Sequence, residues 1–182
     1  MSFEMLATQG QTTIYDSLAA SIGPKIRNLR KEKIKESFYG FQHAGHRLET
    51  VAIIRDMEFI NDSKSSTLNS TWFALESVSR PIIWIVGGVE PGNDYSVLRH
   101  LIRTKVRGVI FLGADTSRLQ EAMAGFDFPK TVAATMEEAV EASYYMGKPG
   151  YAVLLSPACP SFDLFRNYEE RGQAFRKAVK NL

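Results

Sequence analysis

The sequence predicts an α/β fold in which a doubly wound, mostly parallel sheet is flanked by helices. Three observations predict it. Residues 82–86 (IIWIV), 109–112 and 152–155 are nearly continuous apolar runs, the pattern of strands covered on both faces. Helical patterns lie between these runs, so strands and helices alternate along the chain. Each run leaves into small or polar residues, as strands do where an open sheet meets a ligand.

In chain order, Ile14, Leu18, Ile22 and Ile26 recur at helical spacing, and Gly23-Pro24 marks a kink or the joint between two helices. Residues 31–39 continue as helix, with Ile34 and Phe38 four apart. The periodicity stops at 40–46, where a domain boundary is expected. Residues 1–40 then read as a helical remnant of another domain, and 41–182 as the α/β domain. Residues 48–54 and 57–61 read as two strands joined by a tight turn at Arg55-Asp56. Helices are expected over 69–78, 96–103, 117–124, 135–146 and 163–179. Thr135-Met-Glu-Glu138 has the spacing of a capping box, which marks one helix start. Residues 125–131 come near a phosphate-binding loop, but Pro129 stands where the second glycine belongs and removes an N–H. They read instead as a helix exit leading into a strand. The whole is Rossmann-like.

Composition narrows the function classes. The 182 residues are 45% hydrophobic and 23% charged, the balance of a globular chain. A net charge of +2 does not suggest a nucleic-acid partner, and the basic stretch from Lys25 to Lys35 is interleaved with Glu32 and reads as a solvated helix face. No apolar run reaches the ~20 residues of a membrane helix. The amino terminus, with Glu4, does not have the pattern of a signal peptide, and a single cysteine offers no disulfide framework, so a cytoplasmic protein is expected.

Candidate chemistry sits at the strand exits. Asp62-Ser63-Lys64 places a carboxylate fit for ribose hydroxyls two residues from an ammonium fit for phosphate. The same residues also read as a turn with an N-cap before the next helix. Gly87-Gly88 lets backbone approach a ligand, or makes an ordinary turn. Ser161 reads equally as an anion-binding hydroxyl before the last long helix and as a plain N-cap. Cys159 reads as a small buried thiol, and His43, His46 and His100 lack metal-ligand spacing.

These exits carry a resemblance. HRLE (46–49), NDSK (61–64) with STWFALE downstream, GG followed by NDYS, LLSPACPSFDLFRNYEERG (154–172) and the closing Phe-x-x-Ala-Val resemble the C-terminal domain of Mur ligases. Within that family the enzymes that add D-glutamate are the most similar, and residues 5–39 resemble the tail of their central ATPase domain. The resemblance implies an ATP- and Mg-dependent ligase. It would activate the carboxylate of UDP-N-acetylmuramoyl-L-alanine as an acyl phosphate and join it to D-glutamate. It implies that Arg47 contacts the nucleotide phosphates, Asp62 the ribose, and Lys64 the phosphates and reacting centre. Thr13 and Asp16 fall at positions that help hold the adenine, and Ser66, Ser161, Phe162 and Tyr168 would line the D-glutamate pocket. The chain departs from the pattern where Thr12, Thr13 and Asp16 replace His and Asn residues, and where Pro91 replaces a lysine. The UDP-binding domain and phosphate-loop half of such an enzyme are not in this sequence, so the chain alone is expected not to catalyse ligation. The alternatives are another Mur or folylpolyglutamate ligase domain, and a stand-alone or redesigned binding module on the same fold.

Overall fold

The computed structural model describes residues 45–89 and 92–182, which belong to one compact unit, Gln42–Leu182. The helices expected before residue 40, with Thr12, Thr13 and Asp16, lie outside the described residues, as does Pro91. The described elements are β1 (Glu49–Ile54), β2 (Met57–Asn61), α1 (Leu68–Ser77), β3 (Ile82–Gly87), α2 (Arg99–Lys105), β4 (Val106–Leu112), α3 (Ser117–Met123), β5 (Lys130–Ala133), α4 (Met136–Met146), β6 (Ala152–Ala158) and α5 (Tyr168–Lys180). The strands form one sheet in the order β1-β2-β6-β3-β4-β5. Only the β1–β2 pair is antiparallel; the other four pairings are parallel.

The apolar runs are buried on both faces, as their continuity predicts. Ile82, Trp84 and Val86 face one core together with Leu75 of α1, Ile102 of α2 and Leu119 of α3. The intervening Ile83 and Ile85 face the other, with Val140 of α4 and Phe175 and Val179 of α5. The two-residue period of β3 therefore feeds two cores, one on each side of the sheet. The Trp84 indole N–H donates to Ser156 O at 2.8 Å, which ties the β3 side chain to the end of β6.

The turn at Arg55-Asp56 forms with both residues left-handed (φ 50° and 60°), the geometry that matches the twist of a hairpin. β1 begins at Glu49 rather than Leu48, because Leu48 is itself left-handed (φ 44°) and cannot join the ladder. The stretch expected as one helix over 96–103 is a short 3-10 turn, Tyr95–Leu98, followed by α2. The last helix starts at Tyr168, not Asp163. Asn167 Oδ1 accepts the Glu170 N–H at 2.7 Å and caps it, while Ser161 O closes an isolated turn with Phe165 N–H at 2.9 Å. Ser161 is therefore not an N-cap. Thr67, not Asp62 or Ser63, caps α1.

The capping box at α4 is present in modified form. Thr135 Oγ1 accepts the Glu138 N–H at 3.2 Å, and the Glu138 carboxylate accepts the N–H of Ala134, one residue before the cap, at 2.8 Å. Thr135→Ala removes one acceptor from the helix start and is expected to lower stability by about 1 kcal/mol, measured by urea unfolding.

β3, β4 and β5 succeed one another outward, and the chain then crosses back to place β6 on the other side of β3. The carboxyl ends of β3 and β6 therefore flank the switch point of the sheet, where open α/β folds hold ligands.

Candidate functional site

Three strand exits meet there with almost no space between their backbones. Gly87 and Gly88 have φ values of 142° and 131°, which L side chains rarely adopt. A Cβ on Gly87 would collide with Leu112 O, and one on Gly88 with Pro160 O. Val89 N–H donates to Pro160 O at 2.9 Å, which fastens the β3 exit to the β6 exit. The paired glycines are thus a requirement of packing at the site edge.

The β2 exit is built around Asn61. Its amide N donates to Gly172 O at 3.2 Å and its Oδ1 accepts Ser63 N–H at 3.2 Å, so the orientation of the amide is settled. The same amide N lies 2.9 Å from His46 Nδ1, which must then accept, leaving the ring proton on Nε2. Burial, then the nearby Arg176 charge, pulls the His46 pKa below its ordinary value, so the ring is neutral at pH 7. Gly172 is needed here as well, since a Cβ would run into the His46 ring. His46 is left-handed (φ 64°) like Leu48, so Arg47 stands between two constrained residues. His46 O accepts the Lys64 N–H at 3.1 Å, which brings the Arg47 and Lys64 segments together.

Asp62 does not present an open carboxylate. It is 1% exposed; its Oδ1 accepts Leu48 N–H at 3.2 Å and its Oδ2 accepts the Ser156 hydroxyl at 2.8 Å. Burial pushes its pKa up to about 6, despite the hydrogen bonds from Ser65, Ser156 and Leu48 and the charge of Arg47. In this structure it clamps the Arg47 loop to β6. Lys64 is exposed, with its ammonium 5.7 Å from the centre of the Tyr168 ring, the range of a cation–π contact. Lys64 and Tyr168, more than a hundred residues apart in sequence, are therefore neighbours.

The residue that assembles these parts was not singled out from sequence. Arg171 is 1% exposed and projects from the first turn of α5. Its Nε donates to Ser63 Oγ at 3.1 Å, Nη2 to Ser63 O at 2.9 Å and to Ser66 Oγ at 3.4 Å, and Nη1 to Cys159 O at 3.0 Å. Ser63 Oγ in turn donates to Tyr168 O at 2.8 Å. One guanidinium therefore joins the β2 exit, the β6 exit and α5. Burial lowers its pKa to about 10, which leaves it charged at neutral pH. A signal was present: Arg171, Phe175, Ala178 and Val179 follow the core-facing spacing of a helix, an unusual place for a cation.

Of the predicted site residues, Ser66 is thus drawn in by Arg171, and Ser161 lies buried two residues beyond Cys159 on the same exit. Phe162 is 73% exposed, a large apolar side chain standing on the rim. Cys159 is fully buried and lies 3.5 Å from the Tyr95 hydroxyl, consistent with its reading as a structural thiol.

An open α/β sheet whose switch point gathers cations, hydroxyls and aromatic side chains has the layout that α/β domains use to hold ligands. The family model described as "Mur ligase, glutamate ligase domain" matches residues 46–159, and the chain belongs to that family. Over 182 residues it is 44% identical to the UDP-N-acetylmuramoylalanine–D-glutamate ligase of Porphyromonas gingivalis, covering 100% of this chain and 40% of that protein. The ligases of the same name from Bacteroides fragilis and Salinibacter ruber are 43% and 42% identical, with 100% of this chain and 41% and 40% of those proteins covered. The chain therefore spans about 40% of the length of the curated relatives it matches.

Proposed function

We propose that this chain is the C-terminal part of an ATP-dependent ligase that joins D-glutamate to UDP-N-acetylmuramoyl-L-alanine, and that it supplies nucleotide and D-glutamate contacts. The observation that carries the reading is the convergence organised by Arg171, which sets Ser66, Tyr168 and the Cys159–Ser161 exit around one edge beside Lys64. Arg47 and Lys64 are the cations for nucleotide phosphates. They suit the negative charge of ATP with its Mg, and their segments are joined through His46 O. Asp62 contributes by holding the Arg47 loop through Leu48 N–H. Lys64 then neutralises charge that develops as an acyl phosphate is attacked by the amine of D-glutamate. Ser161 and Ser66 are hydroxyl donors for the amino acid's carboxylates, and Tyr168 and Phe162 wall its aliphatic stem. Thr13 and Asp16 stand at the positions assigned to adenine. Such an enzyme works in the cytoplasm, where its nucleotide substrates are made.

Isothermal calorimetry on the chain tests this. D-glutamate is expected to bind, and Ser161→Ala to weaken it by about tenfold or more, the loss of a hydrogen bond to a charged group. Without a phosphate loop, the chain alone should release no phosphate from ATP in response to D-glutamate. Absence of D-glutamate binding by the folded chain would overturn the reading.

A further inference from the structure

The turn that carries Arg47 is held in a conformation its residues do not favour. His46 and Leu48, on either side of it, have φ values of 64° and 44°, a region that residues with a side chain populate sparsely. Such conformations persist where the surroundings impose them. Here both main-chain N–H groups are gripped by carboxylates. Leu48 N–H donates to Asp62 Oδ1 at 3.2 Å, and His46 N–H donates to Glu49 Oε2 at 3.2 Å. Asp62 is buried and fixed by the Ser156 hydroxyl. Glu49, the first residue of β1, is only half-buried and needs another anchor.

Arg176 is that anchor. It lies on α5; its Nη2 donates to Glu49 Oε1 at 2.6 Å and to Oε2 at 2.7 Å, and its Nε to Oε2 at 3.2 Å. Burial pushes the Glu49 carboxyl up, but the hydrogen bonds from Arg176 and His46 N–H outweigh it and hold the pKa below its ordinary value. The group is therefore a carboxylate at neutral pH. The two side chains are 36% and 30% exposed, and as a surface ion pair alone they would stabilise the fold little. What sets the pair apart is the carboxylate's second partner, the main chain one residue before Arg47. α5 thus reaches the β2 exit through Arg171 and the Arg47 turn through Arg176.

We propose that the Glu49–Arg176 pair is a positioning device for Arg47. It fixes the His46 side of the turn as Asp62 fixes the Leu48 side, and so aims the guanidinium at the phosphates of a nucleotide. The proposal rests on the ligase reading above, which makes Arg47 a phosphate contact. Glu49 and Arg176 act on the nucleotide only through Arg47.

Calorimetry with Mg-ATP on the full chain tests this, with D-glutamate as the control ligand. Arg47→Ala should weaken Mg-ATP binding by about tenfold or more, the loss of a charge-assisted hydrogen bond. Arg176→Met should weaken it by about threefold or more, the scale of coupling within one hydrogen-bonded network, and should leave D-glutamate binding unchanged. Arg176→Lys should recover part of that loss. Added to Arg47→Ala, Arg176→Met should cost nothing further, because no guanidinium remains to be aimed. In Glu49→Ala the His46 N–H loses its acceptor, and its exchange with solvent, followed by NMR, should quicken about tenfold or more. Additive losses in the double variant, equal loss of both ligands in Arg176→Met, or unchanged His46 exchange in Glu49→Ala overturns the proposal. So does unchanged Mg-ATP binding in Arg176→Met while Arg47→Ala weakens it, and that result leaves the ligase reading standing. No Mg-ATP binding by the unaltered chain, or none of it lost in Arg47→Ala, overturns the nucleotide half of that reading and the proposal with it.

Discussion

Arg171→Met is expected to lower the unfolding free energy by about 4 kcal/mol, because two of the groups it serves cannot be removed with it. The main-chain carbonyls of Ser63 and Cys159 accept its Nη protons at 2.9 and 3.0 Å in a site where the side chain is 1% exposed. A hydrogen bond from a charged donor contributes ~1.5–3 kcal/mol, and a buried acceptor left empty bears its own desolvation cost. Methionine fills the volume and supplies no donor. Replacing a buried charge with an apolar residue is often harmless where its partners are replaced too, but backbone carbonyls stay. Arg171→Lys keeps the charge yet cannot direct three nitrogens along fixed directions, so a loss of about 2 kcal/mol is expected. Urea unfolding followed by circular dichroism gives these numbers. Both variants should also lose D-glutamate binding, since the β2 and β6 exits are no longer tied. A methionine variant as stable as the parent would show that Arg171 is not what joins them.

Asp62→Asn is expected to alter how stability depends on pH. Burial raises the carboxyl from an ordinary value of 3.8 to about 6 in the folded chain. The folded state therefore holds this proton more tightly than the unfolded state does. Its favourable contribution is complete below about pH 4, declines as pH rises from 4 to 6, and is gone above the folded value. At ~1.4 kcal/mol per pH unit, the parent should lose about 3 kcal/mol relative to Asp62→Asn across that window. The amide is tolerated in the pocket. Its oxygen can accept Leu48 N–H while its nitrogen donates to Ser156 Oγ, whose proton then serves Thr71 Oγ1, 3.1 Å away. Urea unfolding at intervals from pH 4 to 8 on both proteins is the measurement. Parallel pH curves would contradict a buried, raised carboxyl at this position.

Much of the fold was legible because it rests on local chemistry. The runs at 82–86 and 152–155 announce strands with two covered faces, and Thr135 announces a helix start through a hydrogen bond three residues long. Errors arose where two local signals competed. Asp163 and Ser161 both look like helix starts, but Asn167 caps the helix because the chain first spends a turn at Ser161–Phe165. The two left-handed residues around Arg47 were not legible, since Leu48 is not a residue type that signals such a conformation and the enrichment of histidine there is too weak to single out His46.

The sequence by itself determined the alternation of strand and helix, the small polar character of every strand exit and, through NDSK and SPACPSFDLF, the family. Those are properties of residue type and spacing within a few turns of chain. Only the tertiary structure decided that Asp62 is a buried clamp, that Arg171 is the hub of the site and that Gly88 lies against the β6 exit. Each of these depends on groups that crossover topology brings together: Asp62 with Ser156, Ser63 with Arg171, Gly88 with Pro160. Whether a charged side chain meets water or a distant carbonyl is settled by that packing, and no local pattern contains it.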